Sequence, residues 1–362
     1  MAAAYLNSSR RSAGVFPALM NELFVLRPLD HLLFVYMRKE RVALSFEPPI
    51  DQIKGKIREV AIGQNAKIGG ETTFPFHLWE GDMPNPPMIA MEVYDEPQPG
   101  WPEAVRKVYE DVMGDPVAWA KKCQDEFAAD AIVLQLRSVD PNGTDAPAEA
   151  GAATVKQVND AISVPLIVLG TGSPEKDTEV LKKVAETMPD DLIPIGPVDD
   201  SNHRQIGAAA MGYKKPVIAF TSMDVNLAKQ LNVLLTQLGV PEDKIIIDPT
   251  TGALGYGLDY CYSIMERDRL AALAQNDSKM QMPIFNNLAP ETWKAKEAKV
   301  SEEEEPTFGD VETRGVLWEA ITATSLLLCG SDVLVMRHPQ AVKLVRTAID
   351  GLQAQAKEKV AS

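Results

Sequence analysis

From Pro87 onward the chain alternates between short apolar runs and helical patterns, eight times in succession. The runs are Met88–Val93, Ala131–Leu136, Pro165–Leu169, Leu192–Ile195, Pro216–Phe220, Ile245–Ile247, Pro283–Phe285 and Asp332–Met336. They read as strands buried on both faces, the pattern of a parallel sheet covered by helices. The helical patterns between them are Pro116–Ala128, Ala148–Ile162, Glu175–Met188, Ser201–Met211, Val225–Leu238, Leu258–Ala274, Glu312–Leu328 and Ala341–Ala354. Eight strand–helix pairs in a row predict a (β/α)₈ TIM barrel, α/β in class. A doubly wound open sheet is the rival, since periodicity does not show closure. No Gly-x-Gly-x-x-Gly follows the first strand, which counts against a dinucleotide-binding version of that rival.

Three segments follow from this division. Residues 87–362 form the barrel, and residues 42–86 precede it with an N-terminal β-hairpin. Its arms are predicted at Lys56–Ile62 and Glu71–Phe76, around Gly63, Gly69 and Gly70, placed to plug the amino-terminal barrel mouth. Residues 1–41 carry six Lys/Arg against three acids, a charge of +3, while the whole chain is −15, leaving −18 for the rest. The apolar stretch Phe16–Tyr36 is broken by charges and Pro28, and fits neither a signal peptide nor a packed helix. Residues 1–41 are therefore expected to be a non-native or disordered extension, with translation starting near Met37 or Val42. Amino-terminal sequencing of the native protein tests that expectation.

The acidic balance disfavours nucleic acid and anionic membrane surfaces as partners. No run of eighteen apolar residues is present to span a bilayer. Cys123, Cys261 and Cys329 are far apart and form no Cys-x-x-Cys pair, which fits a reducing cytoplasm. Three scattered thiols also fall short of the four that an iron–sulfur cluster usually needs, so none is expected on this chain alone.

In a barrel of this kind the site is assembled at the carboxyl ends of the strands. Those ends carry Glu92, Gln135, Arg137, Thr171, Thr221 to Asp224, Asp248, Thr250, Thr251, Asn286, Asn287, Arg337 and His338. Amides, hydroxyls and small residues dominate. No histidine spacing suits zinc, and no Gly-x-Ser-x-Gly or Walker loop occurs, so no complete catalytic constellation or metal site is legible. The stretch Ile245–Gly257 stands out. A three-isoleucine strand runs into Asp248 and Pro249, and Gly252, Gly255 and Gly257 follow before a long helix. Two readings of this loop stay open: a tight strand-to-helix turn packed on a neighbour, or a backbone that lets a bulky amide-rich ligand approach.

Several stretches carry a family likeness. They are Phe74-Pro-Phe-His-Leu-Trp-Glu-Gly, Pro87-Met-Ile-Ala-Met-Glu-Val, Ile246-Ile-Asp-Pro-Thr-Thr-Gly-Ala-Leu-Gly-Tyr-Gly, Tyr262-Ser-Ile-Met-Glu-Arg, Thr313-Arg-Gly-Val-Leu-Trp-Glu-Ala and Val335-Met-Arg-His-Pro. From about Lys54 to the C-terminus the chain resembles the small subunit of the corrinoid/iron–sulfur protein, whose archaeal relative is the delta subunit of the acetyl-CoA decarbonylase/synthase complex. The resemblance implies a barrel subunit of a heterodimer in the acetyl-CoA (Wood–Ljungdahl) pathway. Its large subunit would bring the iron–sulfur cluster and the corrinoid (cobalamin), which the two barrels would share. Further partners would be a methyltetrahydrofolate:corrinoid methyltransferase and acetyl-CoA synthase. Strand-end position then makes Asp248, Thr250, Thr251, Gly252 and Gly255 the first candidates for contact with the corrin edge, with Asn286, Arg337 and Asp224 second. The alternative is a barrel enzyme in its own right, a pterin-dependent methyltransferase or dihydropteroate-synthase-like protein. The Asp248-Pro-Thr-Thr-Gly turn supports it, whereas Tyr256 stands where those enzymes often place a lysine.

Overall fold

Short runs of β-branched and aliphatic residues pair side by side into eight parallel strands, and their ladder closes on itself. The computed structural model describes residues 52–361, with side chains up to residue 354. The expectation for residues 1–41 lies outside the described residues. Two strands precede the barrel, β1 (Val60–Ile62) and β2 (Ala66–Ile68). The barrel strands are β3 (Met88–Tyr94), β4 (Ala131–Gln135), β5 (Leu166–Leu169), β6 (Ile195–Val198), β7 (Val217–Phe220), β8 (Ile245–Asp248), β9 (Phe285–Asn287) and β10 (Val333–Met336). They lie in the order β8-β7-β6-β5-β4-β3-β10-β9. A parallel bridge between Ile247 and Ile284, with Ile247 N donating to Pro283 O at 2.8 Å, joins the two ends. That bridge makes a barrel and removes the open-sheet rival.

Ten helices wrap the described barrel: α1 (Glu103–Tyr109), α2 (Pro116–Asp125), α3 (Ala148–Ala161), α4 (Pro174–Thr187), α5 (His203–Gly212), α6 (Val225–Leu238), α7 (Leu258–Arg269), α8 (Leu288–Lys294), α9 (Val311–Leu328) and α10 (Pro339–Ala361). A π-helical turn, Leu270–Ala274, extends α7. Local chemistry starts several of them. Asp115 accepts from Val117 N and Ala118 N with Pro116 behind it, and Asp310 accepts from Thr313 N. Among the described residues no helix is long and apolar enough to cross a membrane.

Alternation along each strand makes two cores. Met88, Ala90, Val133, Ile167, Ile246 and Val335 fill the barrel lumen. Ile89, Met91, Ile132, Leu134, Ile245 and Ile247 face the helices. The lumen cluster also holds Val60, Ile62 and Ile68 from the hairpin, which therefore plugs the amino-terminal mouth.

The structure corrects three boundaries. The second hairpin arm is Ala66–Ile68, paired Val60↔Ile68 and Ile62↔Ala66, and Glu71–Phe76 forms no strand. Gly69 and Gly70, both at positive φ, end the ladder before Glu71, and a Cβ on Gly69 would stand 2.2 Å from Arg58 O. The fourth barrel strand begins at Ile195, since Pro194 supplies only its carbonyl to Val168 N. The seventh runs Phe285–Asn287, carrying the extended backbone into the asparagine pair. The short helices α1 and α8 had no counterpart in the sequence pattern.

Candidate ligand-binding site at the barrel mouth

Strand β8 ends with Asp248, and the alternation that turns Ile246 into the lumen puts the carboxylate on the same side. Its Oδ1 accepts from Thr250 N at 3.1 Å. Burial pushes the Asp248 carboxyl up to about 7, against the pull of that single backbone hydrogen bond. Thr250 takes φ 62, a left-handed conformation that a β-branched residue rarely adopts. Two anchors hold it there. Its hydroxyl donates to Thr221 O at 2.6 Å, and its carbonyl accepts from the Cys261 thiol at 3.3 Å.

The loop then turns under itself. Thr251 is buried and its hydroxyl accepts from Asn286 Nδ2 at 3.2 Å, while the same amide lies 3.6 Å from Met265 Sδ on α7. Thr251 and Asn286 thus face the helix layer, beneath the rim. Ala253 bridges to Tyr256 and to Gly257, so the chain crosses over itself and a Cβ on Gly252 would stand 2.3 Å from Gly257 O. Gly252 serves close packing. Gly255 differs: it is exposed, at φ 73. Leu254 ties this outer part to α9, its N–H bonded to Thr322 Oγ1 at 3.2 Å and its carbonyl to Trp318 Nε1 at 3.1 Å. Asp224 is exposed on the same rim and caps α6, accepting from Asn226 N at 2.7 Å and Leu227 N at 3.2 Å.

Across the mouth, Arg337 follows β10 with the parity of Val333 and Val335, and it pairs through Nε with Glu92 Oε1 on β3. Both partners are buried. Burial raises the Glu92 carboxyl while the guanidinium opposes the rise. The Arg337 guanidinium carbon sits 3.8 Å from the Trp101 ring centroid, a cation–π contact. Tyr109 OH donates to the Arg337 carbonyl.

Glu319, buried in the middle of α9, accepts from Arg337 N at 2.5 Å, His338 N at 3.0 Å and Trp293 Nε1 at 3.0 Å. Burial lifts its carboxyl to about 7 in spite of these donors. Burial also drives His338 down to about 4, so its ring is neutral near pH 7 and its Nδ1 accepts from Gln340 N at 3.2 Å. Trp101 and Tyr109 have no place in the sequence reading, and Glu319 stands there only inside the stretch Thr313-Arg-Gly-Val-Leu-Trp-Glu-Ala, without a role at the site.

The mouth is left with unpaired hydrogen-bonding atoms. Glu92 Oε2, Gln135 Nε2, Thr221 Oγ1 and Asn287 Oδ1 are buried with no partner among the described residues. An unpaired buried polar atom costs about 1–3 kcal/mol, so such atoms hold water or await a ligand. Among the described residues no three His, Cys, Asp or Glu side chains gather as a metal site. Burial pushes the thiols of Cys123 and Cys329 up to about 12 and that of Cys261 to about 11, which leaves them poor nucleophiles at neutral pH. The mouth can bind and orient; no nucleophile–base pair is assembled among its described residues.

Residues 59–348 match the model of the CO dehydrogenase/acetyl-CoA synthase delta subunit family. The chain belongs to that family. An acetyl-CoA decarbonylase/synthase complex subunit delta from Archaeoglobus fulgidus is 37% identical over 337 residues, covering 89% of this chain and 74% of the relative. Its counterpart in Methanocaldococcus jannaschii is 35% identical, covering 85% of this chain and 77% of the relative. Among solved structures, dihydropteroate synthase from Xanthomonas albilineans aligns at a TM-score of 0.50 with 16% identity, over 78% of this chain and 98% of that one. A Yersinia pestis dihydropteroate synthase aligns at 0.50 with 11% identity, over 83% and 99%. At such identities the likeness shows the barrel fold. The span matched to the delta subunit family contains Glu92, the Asp248–Gly257 loop, Glu319 and Arg337.

Proposed function

We propose that this chain is the barrel subunit of a heterodimeric corrinoid/iron–sulfur methyl carrier in an acetyl-CoA decarbonylase/synthase system, and that its carboxyl-terminal mouth holds and shields the corrinoid. Family membership supports the place in the complex. The observation that carries the binding role is the mouth itself, polar and partly unpaired but without a nucleophile–base pair. A corrin ring is edged by carboxamides, which need acceptors for their N–H groups and donors for their carbonyls. Glu92 Oε2 and Asn287 Oδ1 accept, Gln135 Nε2 donates and Thr221 Oγ1 can do either, so the residues present fit the group.

Within this reading Asp248, Thr250 and Gly255 meet the corrin edge. Thr251, Gly252 and Asn286 hold the loop from below. Arg337, fixed by Glu92 and Trp101, presents a rigid wall, and Asp224 borders the rim on α6. When bound, the corrinoid supplies a cobalt that takes a methyl group from methyltetrahydrofolate through a methyltransferase and passes it to acetyl-CoA synthase. The chain's own part is to exclude water and to orient the ring. The iron–sulfur cluster is assigned to the large subunit.

The pterin-enzyme reading rests on the same unpaired acceptors, Glu92 Oε2 and Asn287 Oδ1, which a flat N–H-rich ring could also use. Equilibrium binding of methyltetrahydrofolate to the isolated chain separates the two. The carrier reading expects no binding below about a micromolar dissociation constant, or about −8 kcal/mol. Submicromolar binding contradicts it and favours the enzyme.

A further inference from the structure

A cavity of about 320 Å³ opens on the carboxyl-terminal rim between the end of β7 and helix α6, beside the Asp248 loop but outside it. That volume is within the range of small-ligand pockets. Phe220, Leu227, Leu231 and Leu234 give it an apolar wall, and Asp199, Asp200, Thr221 and Ser222 give it a polar edge. No lysine or arginine lines it. Asp199 Oδ1 is occupied by Ser201 N at 2.8 Å, Ser201 Oγ at 2.5 Å and Asn202 N at 3.1 Å. The Asp200 side chain is exposed, its backbone carbonyl taken by His203 Nδ1 at 2.8 Å, and Thr221 Oγ1 is buried without a partner among the described residues. Thr221 also ties the cavity to the seat proposed above. Its N–H donates to Asp248 O at 3.0 Å, and its carbonyl accepts from Thr250 Oγ1 at 2.6 Å.

We propose that this cavity is the pocket for one peripheral carboxamide arm of the corrin, and that it selects the amide over the corresponding acid. The inference rests on the corrinoid reading. Three features point to this ligand chemistry. Carboxylates without a counter-cation attract N–H donors and repel phosphate or carboxylate. The Thr221 hydroxyl offers a donor for a carbonyl, which an ammonium ion would leave unused. The apolar wall takes the methylene stem of the arm and the ring edge that carries it, whereas a compact, strongly hydrated ammonium gains little there.

The experiment uses the complex of this chain with its corrinoid-bearing partner, stripped of corrinoid. It is titrated with hydroxocobalamin and with the cobalamin monocarboxylic acids in which one peripheral amide is hydrolysed. One acid isomer is expected to bind about tenfold or more weakly than the amide parent, the size of one hydrogen bond to a charged group. The double variant Asp199→Asn/Asp200→Asn should bring that isomer back towards the parent, because the first substitution removes a charge yet keeps an acceptor for the Ser201 and Asn202 donors. Leu227→Trp, at an exposed position, should narrow the pocket and weaken parent and isomers together. Equal binding of all isomers, with tight parent binding intact, overturns the pocket and leaves the corrinoid reading standing. Failure of the complex to take up hydroxocobalamin at all overturns both.

Discussion

An aspartate in the unfolded chain ionises near pH 3.8, whereas burial in the mouth holds Asp248 at about 7. Between those values the folded state binds the proton more tightly. Stability therefore falls as pH rises through that window, and the loss is complete above about 7. Asp248→Asn keeps an acceptor for Thr250 N and removes the buried charge. Urea unfolding at pH 8 should show the variant about 2–4 kcal/mol more stable than the natural chain, with the difference gone near pH 4. Equal stability at pH 8 would mean that the carboxylate is better solvated than its position suggests. The glycines of the same loop separate cleanly. Gly252→Ala places a Cβ 2.3 Å from Gly257 O, and a destabilisation of about 3 kcal/mol or more is expected in thermal or urea melts. Gly255→Ala meets nothing closer than the Trp318 ring at 3.7 Å and should cost only about 1 kcal/mol, from its positive φ. The sequence showed three glycines in one loop, yet could not tell which one packs and which one faces outward. That difference depends on the chain crossing itself at Ala253.

The strand–helix units were legible because their apolar runs are dense and their helices carry strong stops. Asp224 and Gly239 delimit α6 over the residues expected, Val225–Leu238. Boundaries slipped where a proline or glycine sat inside an apolar run, as at Pro194 and at Gly69–Gly70. The pairing of Glu92 with Arg337 was invisible for a different reason. The two lie 245 residues apart, and only barrel closure brings β3 beside β10. The contacts of Glu319 were hidden similarly, since its donors lie after β10 and on α8 and meet it only where α9 packs over the rim. These ties predict a double-mutant result. Glu92→Met leaves Arg337 buried and unpaired, and should cost about 3–5 kcal/mol in urea unfolding. Adding Arg337→Met should recover most of that loss. If the single and double variants are equally destabilised, the ion pair is not what joins the two strand ends.

The described residues form a closed barrel, plugged at one end by a hairpin and open at the other onto polar groups without partners among those residues. Eight repeats announced the barrel, but the Ile247–Ile284 bridge established closure, and no pattern in the sequence encodes it. The candidate site was legible in part. Strand ends identified the mouth and Asp248, while the depth of Thr251 and Asn286 and the cavity beside Thr221 depended on side-chain direction. Delta-subunit family membership and a mouth with unpaired polar groups among the described residues support one central proposal, that this barrel completes a corrinoid site together with a second chain. Copurification with the partner subunit, followed by subunit stoichiometry and cobalt analysis, tests it most directly. A one-to-one complex with a cysteine-bearing partner is expected, with about one cobalt per complex and hydroxocobalamin binding by the pair that this chain alone does not match. A chain that purifies alone, or a partner that holds its full cobalt with unchanged affinity when this barrel is absent, would contradict it.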